Sequence, residues 1–283
     1  MSTHMVAGGT VAVTLARLGL KLDVVLGIGM AGPVSGDDLR TIEGICSSIG
    51  LPTLIGLCLY VHLKTLETLA ARNYHVAGFL NEYVRTLEDI NIHDSIESSL
   101  ASSQKDSGAT ISHVQPHDHE EFVKCSADGF KDSGRSFELL STLARITLRR
   151  SDTVCFVVKV NSEVASTDAL ALVETAYGLV GFLYLGSTIH KYRNRGLHYA
   201  PNRARLLEAR KQGCRLAIVE IWLGNASGRN AERIGFRVVY TRTWLQRGCL
   251  NSSVEVLSLI DASDTVLAAL YNVAHLSGAM CLI

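Results

Sequence analysis

Gly178-Leu179-Val180-Gly181-Phe182-Leu183-Tyr184-Leu185, followed by Gly186-Ser187-Thr188-Ile189 and then by Tyr192-Arg193-Asn194-Arg195-Gly196-Leu197-His198, is the stretch that decides the fold. The apolar opening reads as a strand, the Gly-Ser-Thr segment as a turn, and residues 199–212 as a helix. A second strand over 215–221 and the run from Asn225 to Phe236 follow. Two apolar strands on either side of a helix, with arginines and a glycine at the strand-to-helix corner, suit a polyphosphate. The first turn of a helix leaves backbone N–H groups without partners, and its dipole adds partial positive charge there. Gly196 lets the backbone come close to an anion, and Arg193 and Arg195 bring charge-assisted donors.

Arg193-Asn194-Arg195-Gly196-Leu197-His198 resembles the Gln/Arg-x-x-Gly-x-Gly/Ala motif of the GNAT (Gcn5-related) N-acetyltransferases, which wraps the pyrophosphate of acetyl-CoA. Residues 231–240 resemble the helix-and-strand ending of the same domain, with Gly235-Phe236 as its signature pair. Taken together, the motifs from about residue 7 to residue 247 are similar to a GNAT subgroup with a degenerate GNAT-like first half. The resemblance implies an α/β protein of α+β type with a mixed sheet, built as two tandem GNAT-like lobes. Acetyl-CoA would be the co-substrate and a primary amine the acceptor. It further implies that the strand end Leu185, Gly186, Ser187 and Thr188 pairs with the pantetheine arm. Arg193, Asn194, Arg195, Gly196, Leu197 and His198, with Asn230, would hold the nucleotide end.

The totals are consistent with this. Lys plus Arg and Asp plus Glu both number 27, and 47% of residues are hydrophobic, so no strong field for nucleic acid exists. Neither a basic tract nor an aromatic stacking platform appears, and no nucleic-acid partner is expected. Seven cysteines are scattered without a CxxC pair, which favours buried thiols over a disulfide framework. The N-terminal apolar run is broken by Arg17, Lys21 and Asp23, and no stretch approaches a membrane span. Cys281 is third from the end, where a prenylation box requires the fourth. A cytoplasmic location without a membrane partner is the default expectation; oligomeric state has no signature here.

In chain order, strands are expected over 10–13 and 23–30, and a helix over 38–49 capped by Ser35 or Asp37. Then come a strand over 54–61, a helix over 64–71 and a strand over 76–87. This repeats the order of the opening stretch, so residues 1–91 read as a weak internal duplicate. Its corner carries Asp37 and Asp38 with no arginine. Carboxylates there satisfy the dipole and repel a diphosphate, so this half is not expected to bind CoA. Residues 92–108 are polar and Ser-rich, a linker. The complete GNAT-like domain is assigned to 109–248. It should contain strands over 110–114, 153–160 and 169–175 and helices over 119–129 (capped by Asp118) and 136–148. A tail, 249–283, could form a helix over 265–276.

Several residues have claims on chemistry. Glu220, on the strand facing the presumed cleft, is the candidate base; its plain alternative is an edge carboxylate. Glu174 is a second candidate. Many GNAT members carry a tyrosine four residues before the Gly of Gly-Phe to protonate the leaving thiolate. Here that residue is Ala231, with Ser227 and Tyr240 as substitutes whose plain readings are a helix cap and a core tyrosine. His198 replaces a Gly or Ala, and Pro201 lies just inside the helix. The run His113…His117-Asp118-His119-Glu120-Glu121 invites a metal, but a helix start with carboxylates in its first turn accounts for it, and no metal is expected. The acceptor, a small-molecule or peptide amine, is expected between the lobes and would be attacked in a ternary complex. The alternative from another class is a catalytically impaired CoA-binding or scaffold protein of the GNAT fold.

Overall fold

A computed structural model describes residues 2–13, 23–96 and 108–248 of the chain. The expected tail helix, and residues 97–107 of the expected linker, lie outside the described residues. In chain order the elements are β1 (Ser2–Val6), β2 (Gly9–Val13), β3 (Val24–Leu26), α1 (Gly36–Ser48), β4 (Thr53–Leu57), α2 (Leu63–Ala71) and β5 (His75–Thr86). There follow β6 (Ala109–His113), α3 (His119–Gly129), α4 (Phe137–Arg149), β7 (Thr153–Val160), β8 (Glu163–Thr175) and β9 (Gly178–Thr188). The order closes with α5 (Tyr199–Lys211), β10 (Leu216–Trp222), α6 (Ala226–Arg233) and β11 (Arg237–Arg247). By packing, these form two compact units, the first made of the described residues up to Glu82 together with 240–248, the second of those within Tyr83–Val239. The result is a mixed α/β architecture.

In the first unit the strand order is β1-β2-β3-β4-β11. β1 and β2 form a hairpin on Ala7-Gly8, whose φ values of 49° and 74° give the mirror-image turn that matches strand twist. The strand expected over 23–30 stops at Leu26, because Gly27 and Gly29 turn the backbone at φ 78° and 76°. The strand expected over 54–61 likewise stops at Leu57, where Val61 N–H closes a turn onto the Cys58 carbonyl. Helix α1 begins in a capping box. Ser35 Oγ accepts from Asp38 N–H, and the Asp38 carboxylate accepts from Ser35 N–H at 2.9 Å. Asp38 is held below the usual carboxylate range first by the Ser35 hydroxyl and then by that amide. The core of this unit gathers Val11, Val25, Leu39, Ile42, Ile55 and Leu69.

In the second unit the order is β10-β9-β8-β7-β6, antiparallel throughout except for the parallel β10–β9 pair. Helix α4 buries Leu139, Leu140, Leu143, Ala144 and Thr147, a helical stripe, and packs on α3 and β7. Helix α5 covers the other face with small residues. Gly181 makes this possible, since a Cβ there would stand 2.8 Å from Ala209 Cβ. Phe156, Leu170, Leu183, Ala204 and Phe236 fill that side, and a buried phenylalanine contributes about 2–3 kcal/mol. Strand β8 begins at Glu163, earlier than the 169 start expected from its apolar half, because Asp168 finds a buried partner described below.

Cys46, Cys125, Cys155 and Cys214 are free and buried. Cys58 is disulfide-bonded, a departure from the expectation of thiols alone. Among the described residues no helix is long and apolar enough to cross a membrane.

Candidate functional site

The site is built around the far end of β9. Parallel pairing with β10 runs through Leu216↔Val180, Ala217↔Gly181 and Ile218↔Phe182 and stops there, although β9 continues to Thr188 and β10 to Trp222. The expected turn over 186–189 is therefore mostly strand. The divergence coincides with a bulge. Between the pairs Ala169↔Tyr184 and Thr167↔Ser187, β8 advances two residues and β9 three. Leu185 carries the distortion at φ 53°. A bulged strand bends and twists more strongly, which takes it away from a neighbour.

Side chains alternate along a strand, so Glu220 and Tyr184, each two residues past the last pair, project from the same face of the sheet. Glu220 is 1% exposed. Tyr184 shares a hydrogen bond of 3.1 Å with Thr153 Oγ1, and burial is the main cause pushing its hydroxyl up to about 12. Glu174 pairs with Leu179 at the opposite end of β9, about 20 Å of strand from Leu185. Ser227 is exposed in the first turn of α6. The cap there is Asn225, whose Oδ1 accepts from Ser227 N–H at 3.0 Å. Tyr240 belongs to the other unit, where its hydroxyl accepts from Arg242 Nη2 at 2.7 Å. The structure thus brings Glu220 to the opened strand pair and leaves Glu174 and Ser227 elsewhere in the unit.

After β9 the chain turns through 189–198 into α5. Asn194 and Gly196 have φ of 61° and 81°, separated by Arg195, which is not left-handed. Such alternation turns successive N–H groups toward one side and forms an anion-binding concavity. Among the described residues no backbone carbonyl accepts from the N–H groups of Asn194, Gly196, Leu197 or His198. Arg195 and Lys191 both lie over the Tyr192 ring, at 5.2 and 5.0 Å. The Tyr192 hydroxyl donates to Glu163 at 2.9 Å.

Arg193, one of the expected phosphate donors, is engaged with the protein. Nε donates to Thr188 O at 3.1 Å, Nη2 to Gly129 O at 2.7 Å and Nη1 to Asp132 at 2.8 Å. It ties the carbonyl end of α3 to the end of β9. His198 is half-buried, and burial first, then the nearby Arg233 cation, holds its imidazole below the usual value, against a hydrogen bond with Asn230. Asn230 therefore meets the corner through His198. Pro201 is the third residue of α5, where an N–H has no helical partner to lose, so the proline removes no helical hydrogen bond. Ala231 is 5% exposed and packs in the core with Ile234 and Phe236.

The His/Asp/Glu run disperses. His113 lies edge-on to Phe156 and 3.4 Å from Glu208, Glu120 pairs with Arg145, and Asp118 pairs with Lys159 at 2.7 Å. Asp118 does not cap α3. Its carboxylate takes Gln115 N–H at 2.9 Å instead. Among the described residues no group of three or more potential metal ligands gathers.

No protein-family model matches the chain, and no curated protein does. Solved structures do. A GCN5-related N-acetyltransferase from Kribbella flavida superposes with a TM-score of 0.63 at 12% identity, over 89% of this chain and 91% of that one. A functionally unknown conserved protein from Staphylococcus epidermidis gives 0.60 at 11% identity, over 87% and 93%. A tandem GNAT protein from the clavulanic acid biosynthesis pathway gives 0.54 at 10% identity, over 76% and 70%. The fold of this chain is that of the GCN5-related N-acetyltransferases, including tandem ones.

Proposed function

We propose that this protein is an acetyl-CoA-dependent N-acetyltransferase that acylates a primary amine of a small molecule or peptide. The observation that carries this reading is the meeting, at one end of β9, of an opened parallel strand pair and a loop of alternating φ at the start of a helix. The residues present suit the co-substrate. The amides of Asn194, Gly196, Leu197 and His198 and the α5 dipole match a diphosphate, and the β9 edge past Phe182 offers main-chain groups to an extended amide arm. Arg195, which lies over the Tyr192 ring, is the guanidinium assigned to the anion.

Bound acetyl-CoA supplies a thioester. The neutral amine of the acceptor attacks its carbonyl carbon, an N–C bond forms, the C–S bond breaks and CoA leaves as the thiolate. Glu220 takes the proton released from the amine, directly or through water, and delivers it to solvent. With Ala231 buried in the core, the thiolate collects its proton from solvent, which lowers the rate without stopping the reaction.

Titration calorimetry with acetyl-CoA, combined with thiol release across a panel of amines, tests the proposal. Micromolar binding with thiol release that depends on an amine is expected. Binding without turnover would favour a CoA-binding protein of this fold, and absence of binding would overturn both readings.

A further inference from the structure

Under the bulge of β9 lies a buried polar device. Arg205 of α5 donates through Nη1 to the carbonyls of Ala169, at 3.1 Å, and Tyr184, at 3.2 Å. Its Nη2 meets Asn202 Oδ1 at 2.5 Å and Asp168 Oδ1 at 2.9 Å. The Arg205 and Asp168 side chains are each 5% exposed. Ser166 Oγ donates to the Ser187 carbonyl at 2.7 Å and lies 3.3 Å from Asp168 Oδ2. Gly186 passes directly over the pair, since a Cβ there would stand 3.1 Å from Asp168 Oδ1 and 3.7 Å from Arg205 Nη2.

For stability alone this arrangement is a poor choice, because apolar side chains of similar volume usually serve as well as a buried ion pair. They cannot, however, donate to the Ala169 and Tyr184 carbonyls beside the bulge, and taking a donor away from a buried carbonyl is costly. Arg205 supplies those donors at the residue just before Leu185, and Asp168 fixes the guanidinium plane. The geometry points to Arg205 and Asp168 as positioning residues that latch the β9 bulge and so set the gap between β9 and β10. The ligand for that gap rests on the function proposed above; the latch itself does not.

The test compares Arg205→Lys, Arg205→Met and the apolar double variant Arg205→Met with Asp168→Leu. Amide hydrogen exchange at Leu185 and Gly186 is measured without ligand, alongside urea midpoints and the acetyl-CoA Kd. Losing two charge-assisted donors should speed exchange at those two amides about tenfold or more and weaken acetyl-CoA about tenfold in both Met-containing proteins. The double variant should recover the wild-type urea midpoint without recovering either property, and Arg205→Lys should fall between. If the double variant regains wild-type exchange and affinity along with stability, the pair is merely structural and the proposal is overturned. Unchanged exchange at the bulge in Arg205→Lys and the double variant overturns it equally, should the single Met variant not fold. Where wild-type protein itself fails to bind acetyl-CoA, the functional reading falls and the exchange measurement alone decides the latch.

Discussion

Substituting Gly196 separates a phosphate cradle from an ordinary turn. The residue has φ 81°, and an added Cβ would meet nothing within 4 Å, so the perturbation is purely conformational. Holding alanine in the left-handed region costs about 1–2 kcal/mol, and asparagine less. In a partly exposed loop the chain relieves that strain by leaving the left-handed region. The population able to bind then falls about 5- to 30-fold, and apparent affinity falls with it. Calorimetry at fixed salt should show acetyl-CoA weakened by that factor in Gly196→Ala and by about half as many kcal/mol in Gly196→Asn. Gly213, at φ 92° and equally open, lies beyond the other end of α5 and provides the control. Gly213→Ala should lose about 1 kcal/mol of stability and keep wild-type affinity. A folded Gly196→Ala protein that binds acetyl-CoA as tightly as wild type would refute the cradle.

Glu220→Gln should lower amine-dependent thiol release at least tenfold while leaving the acetyl-CoA Kd within about twofold, and full activity in that variant would remove Glu220 as the base. Gly129→Ala should destabilise the protein by roughly 1–3 kcal/mol in urea. The new Cβ would come 1.8 Å from Ser187 Oγ and 3.2 Å from Thr188 N, and Ser187 Oγ cannot withdraw without losing its bond to the Ser126 carbonyl. Burial raises Asp168 from 3.8 to about 6, with Arg205 pulling the other way. The folded state therefore binds the extra proton, so this group's contribution is full below about pH 4 and is lost as pH rises through 6. Stability of wild type minus that of Asp168→Asn should fall by roughly 2–3 kcal/mol across this window, and a difference that rises with pH would contradict it.

What the sequence made legible was whatever depends on near neighbours. Helix α3 and strand β7 fall on the expected residues, because their apolar spacing is local, even though the expected Asp118 cap of α3 does not form. Strand β1, Ser2–Val6, went unread: it is mostly exposed and polar, and only its pairing with β2 makes it a strand. The first half of β8 escaped for a related reason. Ser166, Thr167 and Asp168 look like a loop until Arg205, on a later helix, is brought beside them. Arg193 shows the converse. Its place in the motif suggests a ligand donor, but Gly129 O and Asp132, far back in the chain, occupy it. The left-handed Leu185 carries no sequence mark at all, since leucine has no preference for that backbone.

Strand β4 has its five-residue ladder with β11, Thr53 to Leu57 against Arg247 to Thr243. During synthesis, residues 1–82 leave the ribosome long before that partner exists. Their sheet must wait with a bare hydrogen-bonding margin until residues 243–247 have been made. A chain truncated ahead of 243 should consequently emerge with that margin permanently unsealed, inviting self-association however well its middle folds.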